Sequence, residues 1–288
     1  MVERLKEAIE RARQERARLQ GETGPGGAGP APRPGAGTLP ATGGPRPPGL
    51  PWATLEALSL TPRRLQRNRV ITLDRSDPAH VAFDVLRSRI LKAFQDNGWS
   101  RLAITSPTKG CGKTFVAVNL ALSLARQPDL RTLLVDLDLR APQVASTLGL
   151  AERRAIRDFL TGSTAPESYI RRLGDNLAVA LNTERVRNAA ELLLERKTAS
   201  ILTETIGKLA PDIVIYDLPP MLVSDDAFAF LPHVDAVLLV AAAGETRAAQ
   251  IDACEQLFQG NAAFLGVLLN KVEDTGSEDS YDYGYHYA

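Results

Sequence analysis

The sequence predicts an α/β protein built on a mostly parallel β-sheet with helices on both faces. Three observations predict it. Short apolar runs recur between residues 101 and 270, separated by stretches with helical spacing of apolar residues. Near-continuous apolar strands alternating with helices are the pattern of a parallel sheet covered on both sides. The run "LAITS" passes directly into "PTKGCGKT" and then into the apolar stretch "KTFVAVNLALSLA", a strand, a tight loop and a helix in succession. Two further runs, "LLVDLD" and "DIVIYD", finish in aspartates, which puts carboxylates at the strand ends where such sheets bind ligands.

Composition bounds the rest. The 288 residues, 44% of them apolar, suit one large α/β domain with extensions. Basic and acidic residues balance at 34 each, so nothing in the overall charge suggests attraction to nucleic acid, and no nucleic-acid partner is expected. No run approaches the roughly eighteen apolar residues of a membrane-spanning helix, and the charged start "MVERLKEAIERARQERARLQ" does not resemble a signal peptide. The expected location is therefore the cytoplasm. Two cysteines, Cys111 and Cys254, and three scattered histidines, His80, His233 and His286, provide neither a disulfide framework nor zinc-ligand spacing.

In chain order, residues 1–20 read as an amphipathic helix. Val2, Leu5, Ile9 and Ala12 form a thin apolar stripe, and Glu7 with Arg11 makes an i,i+4 pair. A helix of this length is marginal alone; docking on a partner and a solvated charged face are both open. Residues 21–67 read as a Gly/Pro-rich flexible linker and lead-in, with too few apolar side chains to offset the entropy of ordering. Residues 68–274 form the expected catalytic domain. "RVITL" (69–73) is a short strand or extended lead-in, and residues 78–94 carry helical spacing. "RLAITS", "RTLLVDLD", "NLAVAL", "DIVIYD", "VDAVLLVAA" and "AAFLGVLLN" follow as strands. Residues 275–288 are a tail holding four of the six tyrosines, Tyr281, Tyr283, Tyr285 and Tyr287, at every second position of an acidic run.

The loop after the first of those strands matches G-x-x-x-x-G-K-[ST], with Pro107 in place of the leading glycine. In a P-loop NTPase, backbone N–H groups from such a turn surround the β-phosphate. The expected nucleotide contacts are Thr108, Lys109, Gly110, Cys111, Gly112 and Phe115, together with Lys113 on the β- and γ-phosphates and Thr114 on magnesium. Asp136 and Asp138 close one strand and, followed by Arg140, read as part of the nucleotide site; Asp217 closes another, a usual place for a carboxylate that holds magnesium. ATP and Mg2+ are the expected ligands. Cys111, near a helix N-terminus and between Lys109 and Lys113, is either a redox-sensitive thiol or a small residue that the loop tolerates.

"SPTKGCGKT", "LLVDLDLRAP" and "IVIYDLPPMLVSDDA" resemble the three nucleotide-binding motifs of the bacterial tyrosine kinases of exopolysaccharide and capsule assembly, a branch of the partition and septum-site ATPases. The resemblance runs from about residue 68 to 274. It implies in-line phosphoryl transfer from ATP to tyrosine. Lys113, Asp136, Asp138 and Asp217 would be catalytic, with Asp136 accepting the tyrosine proton and Asp138 as runner-up. Thr114, Asp138 and Asp217 would serve the metal, and Asn270 would contact adenine or else cap a strand. It also makes the four tail tyrosines the substrates, presented between subunits of a self-associating ring. A transmembrane polysaccharide chain-length (co-polymerase) protein as activator and a cognate tyrosine phosphatase complete the implied partners. The family's interface pattern E-x-x-R-x-x-R falls on Val81, Asp84 and Arg87, where only Arg87 matches; Asp84 would need a cationic partner. A partition-type ATPase without kinase activity and a nucleotide-sensing scaffold are the alternatives.

Overall fold

The computed structural model describes residues 52–71 and 80–272. The expected helix at 1–20, the linker up to residue 51, residues 72 and 73 of "RVITL" and the tyrosine tail lie outside the described residues.

Eight strands of the described chain form one sheet: β1 (Glu56–Ala57), β2 (Arg101–Thr105), β3 (Thr132–Asp136), β4 (Arg171–Leu173), β5 (Leu177–Ala180), β6 (Ile213–Asp217), β7 (Ala236–Ala242) and β8 (Ala263–Asn270). Their spatial order is β1-β4-β5-β3-β6-β2-β7-β8. Neighbours run parallel except β4 and β5, which pair antiparallel. The six apolar runs of the sequence all become strands. β1 and β4 carry no such signal, because one is two exposed residues and the other reads "RRL".

The helices are α1 (Pro62–Arg67), α2 (His80–Asn97), α3 (Lys113–Leu124), α4 (Val144–Thr147), α5 (Ile156–Leu160), α6 (Pro166–Tyr169), α7 (Ala189–Leu194), α8 (Arg196–Leu209), α9 (Asp226–Phe230) and α10 (Ala248–Phe258). They cover two apolar layers, one on each face of the sheet. Alternate residues of a strand feed opposite layers: Val214 and Tyr216 of β6 pack with Phe159, Phe230 and Phe258, while Ile213 and Ile215 pack with Phe94, Ile104 and Leu120. α3 is apolar on nearly every side because it is buried along almost its whole length. That burial fixes the helix whose first residues are Lys113 and Thr114.

Residues 52–67 correct the expected linker boundary. Trp52, Leu55 and Leu65 are buried, β1 pairs with β4, and the Trp52 indole donates to the Leu209 carbonyl at 2.7 Å. The segment then crosses to the turn after β3. The Arg64 guanidinium donates to the Gly149 carbonyl at 3.0 Å, and the Asn68 amide donates to the Ser146 and Thr147 carbonyls at 2.8 and 3.1 Å. Gly149, at φ 71°, admits this approach: a Cβ there would lie 2.7 Å from the Cβ of Arg64. A few well-spaced apolar anchors ordered a segment whose average composition reads as linker.

Candidate functional site

β2 delivers the chain to a loop that turns over residues 106–112 before α3 begins at Lys113. Gly110 and Gly112 take left-handed conformations, φ 83° and 91°, which side chains on those residues would resist. Among the described residues, the backbone N–H groups of Gly110, Gly112, Lys113 and Thr114 donate no hydrogen bond, leaving a row of donors for an anion at the start of a twelve-residue helix. Sheet neighbours brace the loop from below. The Thr105 hydroxyl donates to the Pro219 carbonyl at 2.7 Å, and the Asn270 amide donates to the Cys111 carbonyl at 2.9 Å. Asn270, expected at adenine or at a strand cap, thus commits its N–H to the loop. Cys111 is 1% exposed and its thiol contacts Thr108 and Thr246, so the accessible thiol that a redox role requires is not there.

Three carboxylates and one ammonium meet beside this loop. β3 and β6 are adjacent and in register, so Asp136 sits directly opposite Asp217. Lys113 Nζ lies 2.9 Å from Asp138 Oδ2 and 3.3 Å from Asp217 Oδ1, and the Thr114 hydroxyl donates to Asp217 Oδ2 at 2.6 Å. Burial lowers the Lys113 pKa, but Asp217 and Asp138 outweigh it and hold the ammonium above its ordinary value. Burial, then the Asp217 charge, pushes the Asp136 carboxyl well above the usual range. Burial also raises Asp217, against the lowering by Lys113 and the Thr114 hydroxyl. Asp136 accepts the backbone N–H groups of Asp138 and Val144 at 3.3 and 3.0 Å, and α4 carries the second of these donors.

Above the cluster opens a cleft of about 400 Å³. Lys109, Gly110, Gly112, Lys113, Thr114 and Phe115 line its loop side, and Phe115 packs edge-on against Phe83 with ring centroids 5.8 Å apart. Asp138 and Arg140 reach the cleft; Asp136 is fully buried behind them. The Arg140 guanidinium forks onto Asp226, with Nη2 donating to Oδ1 at 3.0 Å and Nε to the other oxygen, and the Ser224 hydroxyl supports the same carboxylate at 3.0 Å. Sequence reasoning missed Asp226, Asn68, Gln143 and Arg185. "SDDA" was a usable signal for Asp226, whereas the other three are brought in by packing alone.

Asp84 finds its cations within the same chain. Arg126 lies 2.9 Å from Asp84 Oδ1, as does Arg87, and the Ser123 hydroxyl is 3.1 Å away. Val81 and Val85 beside it are half exposed.

A parallel sheet carrying a glycine-bounded loop, a lysine and threonine at a helix start, and carboxylates on the neighbouring strand ends defines a P-loop nucleotide-binding protein. The family model of the CobQ/CobB/MinD/ParA nucleotide binding domain matches residues 102–285. The chain belongs to that family, in its bacterial tyrosine-protein-kinase branch. It is 29% identical over 214 residues to a putative tyrosine-protein kinase EpsB of Ralstonia nicotianae, covering 73% of this chain and 27% of that one. The chain therefore spans about a quarter of the length of that relative. Tyrosine-protein kinase CpsD of Streptococcus agalactiae is 30% identical over 195 residues, covering 67% of this chain and 82% of the relative. The kinase domain of the Escherichia coli tyrosine kinase ETK superposes with a TM-score of 0.65 at 29% identity, covering 75% of this chain and 84% of that domain. The doubly covered P-loop sheet expected from sequence is the fold that these proteins share.

Proposed function

We propose that the chain is an ATP-dependent protein-tyrosine autokinase of a polysaccharide system, acting on Tyr281, Tyr283, Tyr285 and Tyr287. The observation that carries this reading is the Lys113 ammonium held between Asp138 and Asp217, with the Thr114 hydroxyl on Asp217 and Asp136 alongside. The kinases named above support it.

The donor set suits magnesium. Thr114 and Asp217 offer hard oxygen ligands side by side, with Asp138 nearby. With so few protein oxygens offered, the ion would take most of its ligands from phosphate and water. Bound there, magnesium would neutralise charge on the β- and γ-phosphates. The free loop N–H groups bind phosphate oxygens, and Lys113 exchanges its carboxylate partners for the transferring group. In the transfer the bond from the γ-phosphorus to the bridging oxygen breaks, a bond to the phenolic oxygen forms, the phenolic proton passes to a carboxylate, and ADP leaves. Asp136, at the end of β3 opposite Asp217, is the proton acceptor in this reading. A second reading assigns the proton to Asp138, which lines the cleft.

Incubation with γ-labelled ATP and Mg2+ tests the reading. Label on tail tyrosines supports it, whereas free phosphate with an unmodified tail indicates a partition-type ATPase. Asp136→Asn and Asp138→Asn decide between the bases: the true one loses transfer while keeping nucleotide binding. The same reading carries the wider arrangement of self-association for transfer between subunits, a transmembrane co-polymerase that recruits residues 1–20 to the membrane, a phosphatase that resets the tail, and residues 275–288 as a free acceptor segment. No helix among the described residues is long and apolar enough to cross a membrane.

A further inference from the structure

The cleft has two unlike walls. One is the phosphate-binding loop; the other is formed by Asn68, Gln143, Thr147 and Arg185. Arg185 is placed there by its neighbour: Val186 is buried and its N–H donates to the Leu139 carbonyl at 2.8 Å, between Asp138 and Arg140. Arg140 is already matched by Asp226. Among the described residues no carboxylate lies within ion-pair distance of Arg185. An exposed guanidinium with no ion-pair partner among the described residues therefore lines the cleft, available to an acceptor.

The acceptor segment has a matching pattern. Side chains two apart in an extended peptide share a face, about 7 Å from one to the next. The odd-numbered residues from 279 to 287 are Asp279, Tyr281, Tyr283, Tyr285 and Tyr287. Were the segment extended with Tyr281 in the cleft, Asp279 would fall on the same face, one step back. Asp282 would fall on the opposite face. For the other three tyrosines the residue two places earlier is itself a tyrosine, neutral until it is phosphorylated. A phosphotyrosine then carries a charge of about −1.5 to −2 and accepts the two-pronged hydrogen bonding that arginine offers.

We infer that Arg185 reads the negative charge two residues before the accepted tyrosine, so that the tail is phosphorylated in the order Tyr281, Tyr283, Tyr285, Tyr287, each product priming the next. Each step uses a fresh ATP. The γ-phosphoryl group moves to the phenolic oxygen, the phenolic proton goes to the catalytic carboxylate, and ADP leaves. The inference rests on the autokinase reading above and adds to it a specificity residue and a direction.

The test is a time course of site-resolved phosphorylation, by mass spectrometry, on the full chain with ATP and Mg2+. Tyr281→Phe should slow labelling of Tyr283, Tyr285 and Tyr287 by about fivefold, the size of a strong exposed charge pair. Tyr281→Glu should restore their rates, and Tyr287→Phe should leave the first three unchanged. Arg185→Ala should slow Tyr281 by a similar factor and erase the order, with nucleotide affinity retained. Pairing Arg185→Glu with Asp279→Arg should recover the Tyr281 rate. Simultaneous labelling of all four tyrosines, or Tyr281→Phe without effect on the rest, overturns the relay. If Arg185→Ala loses nucleotide binding, the decision rests on the two Tyr281 variants, which leave the cleft intact. Absence of tyrosine label altogether overturns the autokinase reading itself; label without order overturns only the relay.

Discussion

The ammonium of Lys113 lies 2.9 Å from the carboxylate of Asp138, closing the end of β3 onto the start of α3. Lys113→Met removes a cationic partner of a buried carboxylate cluster as well as the proposed phosphate ligand. It should abolish ATP binding and cost about 3 kcal/mol of stability near neutral pH, the scale for breaking a buried ion pair. The pH dependence has a definite sign. Asp136 and Asp217 are held above their ordinary values, so the stability they contribute is full below the unfolded-state pKa of about 3.9 and is lost as pH rises through the folded values. Without Lys113 this loss steepens. Urea unfolding of both proteins from pH 4 to 8 should show the difference widening with pH.

Gly112 and Asn270 form a second checkpoint. A Cβ on Gly112 would fall 2.1 Å from the Asn270 amide nitrogen, in a backbone conformation at φ 91°. Gly112→Ala should therefore remove nucleotide binding. Asn270→Ala, losing one hydrogen bond to the loop, should weaken binding by about fivefold. Adding Asn270→Gly to Gly112→Ala relieves the collision but not the backbone strain, and calorimetric titration with ATP should show partial recovery.

Asp84 tests whether its ion pairs stabilise the subunit. Burial raises its pKa, but Arg87 and Arg126 outweigh it and the carboxyl is held below the usual range. Its contribution is present above the unfolded-state pKa of about 3.9 and is lost as pH falls through the folded value. Asp84→Asn should cost about 1 kcal/mol at pH 7, limited by solvent screening, and less at pH 2. Asp84→Arg, which restores the residue of the family pattern, should be worse still because it faces two arginines. Thermal unfolding at both pH values checks this.

The segment around Trp52 should behave as part of the domain. Trp52→Ala should cost about 3 kcal/mol, the usual scale for deleting a buried aromatic side chain. A chain beginning at residue 68 should be less stable than one beginning at residue 50, because it lacks Trp52, Leu55 and Leu65. Denaturant midpoints of the two chains measure the difference.

The parts of the site legible in sequence were those with a backbone cause. Gly112, Lys113 and Thr114 occupy a spacing that a phosphate-binding turn imposes, and Asp136 and Asp217 end apolar strands, so their convergence follows from placing those strands side by side. Arg185, Asn68 and Gln143 reach the cleft from a loop, a strap and a short turn whose local sequences are neutral about position. The boundary at Trp52 was hidden for a related reason: average composition discounts the isolated apolar residue that meets a prepared surface. Of the two readings left open for Cys111, packing favours the small residue that the loop tolerates, because the loop folds its thiol inward against Thr246.

The hydrogen bond from Asn270 to the nucleotide loop also fixes where the acceptor segment is rooted. Tyr281 follows Asn270 by eleven residues (281 − 270) and Tyr287 by seventeen (287 − 270), giving leashes of at most about 40 and 60 Å. On the proposed reading, each acceptor is thus joined through the chain to the donor loop of its own subunit. The volume available to a moored group grows with leash length, and its encounter rate with a cleft falls accordingly. If these tyrosines are the acceptors, leashes of eleven and seventeen residues change the encounter rate by only about twofold, too little to set the order that the charge relay sets.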